Sequence, residues 1–276
     1  MDYQMRLLEK QADLMKLLDL EREVWGFSEA DTDSPLTMKV MSSQLFRMGY
    51  TFGLFDEGEL IGGNVFFASL VQGRVYGHLV CLKPSLRNKN TGTQFLSDSF
   101  AFMKAQGVRE VFWTYEPLDA ANSTVYINKL GGQATQYISN YIIIEDKING
   151  GVPLDRMICE VNLSQLNAIQ KDSPGMTEAL DVFPLAGSDK FTETNRILIE
   201  IPADYKSLKS ESIEEATKVR LSSRRLFSEF INEKGYVGKR LISGKDHGKR
   251  RNFYLLEKRC PEKRNGFYGN QREGKP

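Results

Sequence analysis

Histidine and cysteine are scarce in this chain. Two histidines, His78 and His247, in 276 residues leave too few imidazoles for a multi-histidine metal site. Three cysteines, Cys81, Cys159 and Cys260, are an odd number with no C-x-x-C pair. That argues against both a disulfide framework and a zinc ribbon. Net charge is nearly absent too. With 37 Lys+Arg against 36 Asp+Glu the balance is +1, which offers nucleic acid or a membrane surface no global attraction. No apolar run reaches the roughly 20 residues that cross a bilayer, and the start MDYQMRLLEK lacks the apolar core of a signal peptide. A reduced, cytoplasmic protein without metal, nucleic-acid partner or membrane partner is expected. Core material is ample, at 41% apolar and 26% charged residues, and the length exceeds the roughly 150 residues of one typical domain. A second lobe is therefore expected.

The periodicities predict a short strand at Met5–Leu8 and a helix from Asp13 to Trp25, stopped by Gly26. Ser34-Pro35 starts a second helix carrying Met38, Met41, Leu45 and Met48. Strands at Tyr50–Phe55 and Glu59–Leu70 flank the hairpin turn Asp56-Glu57-Gly58, and Arg74–Leu82 follows. A helix at Thr91–Gln106, a strand at Glu110–Tyr115, a helix at Leu118–Leu130 and strands at Thr135–Ile144 and Arg156–Leu163 complete the pattern. Such an order gives a mixed α/β layer with a central parallel pair.

Ser164–Glu193 reads as a connection. Beyond it come the strand ILIEIP, a helix from Ser212 opened by the capping box Ser212-x-x-Glu215, and strands at Tyr236–Ile242 and Asn252–Glu257. The predicted organisation is 1–163 as a first α/β domain, 164–260 as a C-terminal β-α-β-β lobe, and 261–276 as a disordered tail. No internal repeat stands out. The basic set Arg240, Lys245, Lys249, Arg250 and Arg251 reads as a solvated hairpin tip.

The richest stretch is Tyr76–Gly107, an apolar strand, a basic loop and an amphipathic helix closed by glycine. It aims loop N–H groups and a helix N-terminus at one point, an arrangement suited to a pyrophosphate. Arg87, Asn90 and Gly92 resemble the R/Q-x-x-G-x-G/A acyl-CoA loop of the GNAT superfamily of N-acyltransferases, with Asn90 in place of the first glycine. Asn is one of the few side chains tolerated in left-handed backbone, so Asn90 is expected to keep the loop's shape.

Further pieces resemble the branch of that superfamily found beside N-acylamino-acid racemases. They are G-H-L-V-C-L-K-P with His78 and Pro84, W-T-Y-E-P-L followed by Asn122 and N-K-L-G, Asn140-Tyr141, G-V-P-L-D-R, I-L-I-E-I-P and R-N-F-Y-L-L. The resemblance runs from about Trp25 to Leu256. It implies a GNAT-like mixed sheet flanked by helices, with a C-terminal α/β extension. It also implies transfer of an acyl group from acyl-CoA to a small amine, possibly an amino acid. The alternatives are a GNAT-like binding protein without transferase activity, or a biosynthetic acyltransferase fed by a carrier protein.

Acyl transfer needs an anchored pantetheine, a donor to the developing oxyanion and an acceptor for the ammonium proton. By resemblance, the backbone around Leu79–Leu82 supplies the N–H groups, while Leu82, Arg87, Asn90, Thr91, Gly92, Thr93 and Asn122 contact coenzyme A. His78 is either a base at the cleft or a hydrogen-bonded structural histidine. Glu116, where the branch has Asp, is either a base or a turn carboxylate. Asn122 either meets pantetheine or caps a helix. Arg156 either holds an acceptor carboxylate or pairs with Asp155. Many family members carry a Tyr four residues before the glycine that follows the helix, which donates a proton to the leaving thiolate. That position is Ile127 here. Tyr126 next to it is expected to point about 100° away on a 3.6-residue helix. Cys81 is expected on the face opposite His78, which leaves no Cys–His pair.

Overall fold

The computed structural model describes residues 3–29, 32–86, 89–142, 151–166 and 174–259. Its first half runs β1 (Gln4–Leu7), α1 (Gln11–Trp25), α2 (Pro35–Met41), β2 (Gly49–Asp56), β3 (Glu59–Ala68), β4 (Arg74–Leu82), α3 (Thr91–Ala105), β5 (Glu110–Tyr115), α4 (Ala120–Ser123), β6 (Gln133–Ile142) and β7 (Leu154–Asn162). The remainder is α5 (Met176–Val182), β8 (Arg196–Ile201), α6 (Tyr205–Glu211), α7 (Ile213–Phe227), β9 (Tyr236–Asp246) and β10 (Lys249–Lys258). The expected mixed α/β layer is present, and its strands join in one ten-stranded sheet, β1-β2-β3-β4-β5-β7-β6-β9-β10-β8. Only β4 and β5 pair in parallel among the described strands.

Local chemistry explains the elements that position the cleft. Glu57 and Gly58 both have positive φ, 47° and 85°, the two-residue hairpin geometry that matches the twist of the strands it joins. Side chains alternate across the sheet, so β3 sorts its two faces residue by residue. Val65 packs with Leu14, Leu17 and Leu18 of α1, while Phe66 joins Phe95, Phe100 and Met103 of α3. The buried Asn64 reaches the α3 face and donates to Ser99 Oγ at 3.0 Å.

Three expectations need correction. The second helix ends at Met41, not near Met48, because Met48 C=O accepts the Ala68 N–H and the chain must be extended there; Arg47 turns it at φ 52°. The helix expected at Leu118–Leu130 is one α turn followed by a π turn at Thr124–Lys129. Ser164–Glu193 is not merely a connection, since α5 lies within it. The C-terminal strands continue the first sheet, as β9 abuts β6 through Ala134 and Gly238. Ile199, Phe227 and Tyr254 lie in the same core cluster as Phe100 and Val111. The tail 261–276 lies outside the described residues.

Buried charge ties the two parts together. Asp155 on β7 is fully buried. It accepts from Arg224 Nε (2.9 Å) and Nη2 (2.8 Å) of α7, from the Tyr137 hydroxyl (2.5 Å) and from the Asn140 N–H (2.9 Å). Asp155→Ala would take the ion-pair partner from Arg224 and leave the Tyr137 hydroxyl and the Asn140 N–H without their buried acceptor. It should lower unfolding free energy by about 3–5 kcal/mol, read as a fall in the urea midpoint at unchanged m-value.

Candidate active site

β4 and β5 pair only from Arg74–Glu110 to Gly77–Trp113. Beyond that point β4 stays paired with β3 alone, Leu79 to Leu82 opposing Val65 to Gly62. A bulge marks the place. Val65 faces Leu79 and Phe66 faces Gly77, so His78 is the unpaired residue between them. A bulge bends its strand and re-aims one side chain, here opening the sheet where it would otherwise continue. The opening is a cleft of about 460 Å³. Glu21, Trp25, Phe27, Asp33 and His78 line it on the α1 side, Leu96, Phe100, Trp113 and Tyr126 on the α3 side, and Arg156 reaches it from β7.

His78 stacks on Phe67, with ring centroids 4.6 Å apart, and its Nε2 lies 3.1 Å from Asp33 Oδ2. A carboxylate at Nε2 favours the tautomer protonated there and leaves Nδ1 as a proton acceptor. Behind this pair Glu21 is only 1% exposed, and its Oε1 has no hydrogen-bond partner among the described residues. Burial first, and then the Asp33 carboxylate, push the Glu21 carboxyl up to about 7, against a smaller opposing pull from His78. Sequence reasoning missed Glu21 and Asp33. A signal for Glu21 exists in the stripe Leu14, Leu17, Leu18, Glu21, whose i, i+3, i+4, i+7 spacing places a carboxylate on the apolar face of α1. Asp33 has none, because a loop residue's destination is set by the packing of α2.

Tyr126 overturns the expectation about the helix after β5. In the π turn Leu130 N–H bonds Val125 C=O at 3.0 Å, and Gly132 N–H bonds Tyr126 C=O at 2.9 Å. The extra residue per turn rotates the frame, so Tyr126 faces the cleft and Ile127 enters the core at 2% exposure. The Tyr126 ring meets Trp113 and Tyr115 edge-on at 5.1 and 5.4 Å. Burial, then Cys159 and Asp119, raise its phenol pKa, so it holds its proton.

At the far end of β4, Asn90 adopts φ 64° as the cap residue of α3, the left-handed conformation expected of it. Its side chain accepts from Lys129 Nζ at 3.0 Å. Thr91 is buried, Thr93 is half-buried, and a Cβ on Gly92 would come 3.0 Å from Leu82 Cδ1. Arg87 lies outside the described residues.

Two candidates are not brought to the cleft. Glu116 accepts from buried Arg220 and from the Leu118 N–H (3.0 Å), as a turn carboxylate does, so it is not free to act as a base. Asn122 is exposed and gives both its N–H and its side-chain amide to Asp119 at 3.0 Å, the helix-cap alternative. Asp155 pairs with Arg224, while its strand neighbour Arg156 points into the cleft. Cys81 is buried against α1 on the same side of the sheet as His78, not opposite it as expected, because the bulge at His78 breaks the alternation of β4. Burial pushes its thiol up to about 12.

The cleft gives a stability prediction. A carboxyl raised from its ordinary 4.5 to about 7 adds stability in full below 4.5 and loses it as pH rises through 7. Glu21→Gln should therefore melt higher than wild type at pH 8 and not at pH 4.5. The difference should grow across that window, up to about 3 kcal/mol at 1.36 per unit, followed by calorimetric melts.

No family model and no curated protein matches the chain. Solved structures do. One is a structure from Staphylococcus epidermidis described as a probable acetyltransferase, 14% identical, covering 58% of this chain and 99% of its own at a TM-score of 0.50. Another is an acetyltransferase of the GNAT family from Streptococcus pneumoniae, at 16% identity, 58% and 99% coverage and 0.49. A Bacillus subtilis acetyltransferase solved in complex with CoA has 17% identity, the same coverages and 0.46. At these identities the likeness is one of fold. Over 58% of its length the chain is built as a GNAT-like mixed α/β sheet flanked by helices.

Proposed function

We propose that this chain is an acyl-CoA-dependent N-acyltransferase of the GNAT superfamily, of the branch found beside N-acylamino-acid racemases, acting in the cytoplasm on a small amine. The observation that carries the reading is the cleft through the sheet at His78. It sets a proton acceptor on one face and a phenol that keeps its proton on the other. The residues present suit the donor. Asn90, Thr91, Gly92 and Thr93, with Arg87 before them, would hold the pyrophosphate at the start of α3. The unpaired edge of Leu79–Leu82 would take the pantetheine amides.

In the reaction the amine nitrogen attacks the thioester carbonyl and a C–N bond forms. The ammonium proton passes to His78 Nδ1, with Asp33 holding Nε2. An N–H of the open β4 edge receives the oxyanion. The C–S bond then breaks, and the departing thiolate takes the Tyr126 proton. Arg156 would hold a carboxylate on the acceptor, so amino acids lead the acceptor panel.

The test is a screen of acyl-CoA donors against amines and amino acids, read by product mass and by free CoA thiol. N-acyl product with stoichiometric thiol release is expected. His78→Ala should then lower kcat by about 10²–10⁴ while CoA affinity holds, and part of that loss should return at high pH, where the amine is already neutral. Gly92→Asp should weaken CoA binding more than tenfold by calorimetry, because it puts bulk and negative charge beside phosphate. If CoA binds and no amine in a broad panel is acylated, the protein is a binding module and the enzymatic reading falls.

A further inference from the structure

The sheet order β5-β7-β6-β9-β10-β8 is palindromic about the β6–β9 junction. On one side a strand, a helix ending in a π turn, and two strands follow in sequence, as β5, α4 with Thr124–Lys129, β6 and β7. On the other side the same series recurs as β8, α7 with Ser228–Glu233, β9 and β10, after the small helix α6. The π turns align without a gap and share Ile, Asn and Gly at the same positions. Thr124-Val-Tyr-Ile-Asn-Lys-Leu-Gly131 aligns with Ser228-Glu-Phe-Ile-Asn-Glu-Lys-Gly235. Leu130 N–H bonds Val125 C=O at 3.0 Å, and Lys234 N–H bonds Glu229 C=O at 2.9 Å. Both glycines are left-handed, at φ 71° and 75°.

The two asparagines reach across the junction in opposite directions. Asn128 Nδ2 donates to Leu241 C=O (2.8 Å) and its Oδ1 accepts from Leu241 N–H (3.0 Å). Asn232 makes the same pair with Tyr137, at 2.8 and 3.0 Å. One constant interval separates Asn128 from Asn232, Tyr137 from Leu241, and Ala134 from Gly238. The last two are the residues that pair at the junction itself. A two-fold relation between two copies of one unit produces this reciprocity, and a chance resemblance of helix ends does not.

The copies differ at one telling place. Tyr126 faces the cleft beside β5, whereas its counterpart Phe230 is 2% exposed and capped by Phe191, with ring centroids 5.5 Å apart. The flank that β4 opens along β5 is occupied along β8 by Pro184–Ala186, which bonds in parallel to Leu198. The second copy therefore has no cleft to serve. What it contributes to the first is the Leu241 backbone that grips Asn128, two residues after Tyr126.

We infer that residues 196–258 are an internal copy of 110–162 retained as a brace, and that Asn128 is a positioning residue holding Tyr126 toward the cleft through the β9 backbone. The duplication stands on the geometry alone, and the role of Tyr126 rests on the acyltransferase reading.

Asn128→Ala and Asn232→Ala form a matched pair, each removing the same two bonds. Amide exchange should show Leu241 N–H losing protection in the first and Tyr137 N–H in the second, with both melting temperatures lowered by similar amounts. Only Asn128→Ala should lower kcat, by about 10–100-fold at unchanged KM for the donor, with little further loss on adding Tyr126→Phe. In protein labelled with 3-fluorotyrosine, the Tyr126 fluorine resonance should shift in Asn128→Ala and hold in Asn232→Ala. That readout needs no turnover, so it decides the positioning role even if wild type acylates nothing. An unmoved Tyr126 resonance in Asn128→Ala, or equal loss of kcat in both variants, overturns the positioning role. Unchanged Tyr137 protection in Asn232→Ala overturns the reciprocal brace.

Discussion

A pairing that is not made governs this molecule. After Gly77 and Trp113, β4 and β5 stop exchanging hydrogen bonds, although both strands continue. Unpaired backbone inside a sheet is costly, so it persists only where something compensates. Here the compensation is geometric. The extra residue at His78 bends β4 while β3 goes on satisfying its other edge, and the gap becomes a passage between the two faces of the sheet. Each chemically notable side chain of the site is defined by its relation to that gap. His78 is the bulge itself, Asp33 and Glu21 back it from the α1 side, and Tyr126 closes it from the α3 side.

Holding a sheet open at its centre demands rigidity around it, and the C-terminal strands provide that in a polar form. Glu116 with Arg220 and Asp155 with Arg224 bind β5 and β7 to α7 through charges that are wholly or mostly withdrawn from water. Tyr254 of β10, fully buried, donates to Pro117 C=O at 2.9 Å and lies 2.7 Å from Ser123 Oγ and 3.2 Å from the Tyr115 hydroxyl. Buried pairs of this kind add little net stability over apolar packing, but they penalise any arrangement that separates the partners. Their positions fit that role. They surround the turn after β5 and the helix end that carries Tyr126, where a small rotation would move the phenol out of the cleft.

Much of the scaffold was legible in the sequence. The ranges of β4 and β5, the Thr91 start of α3 and its Gly107 stop, the Glu57-Gly58 hairpin and the left-handed Asn90 follow from alternation, capping and glycine placement, all short-range effects. Individual site residues were less so. His78 was visible as a lone imidazole on a strand, but its partner was not. Glu116 looked poised at a strand end, yet an arginine more than a hundred residues later engages it. Tyr126 was set aside on the assumption of 3.6 residues per turn, and a single π turn undid that assumption. The internal copy escaped notice because two units can share a backbone while their surface residues diverge. The letters the two units share are few, among them Ile127 and Ile231, Asn128 and Asn232, and Gly131 and Gly235.

By itself the sequence determined most of the strands and the helices α1, α3 and α7, where most of them stop, and that Asn90 caps α3 in a left-handed conformation. Those outcomes depend on a residue and its near neighbours, whose preferences act before the chain is compact. The tertiary structure alone decided where the sheet opens, which carboxylate stands beside His78 and which is consumed by an arginine, and which way the tyrosine turns. It also decided that the second half continues the first half's sheet. These depend on contacts between residues far apart in the chain, whose energies exist only once the core has formed.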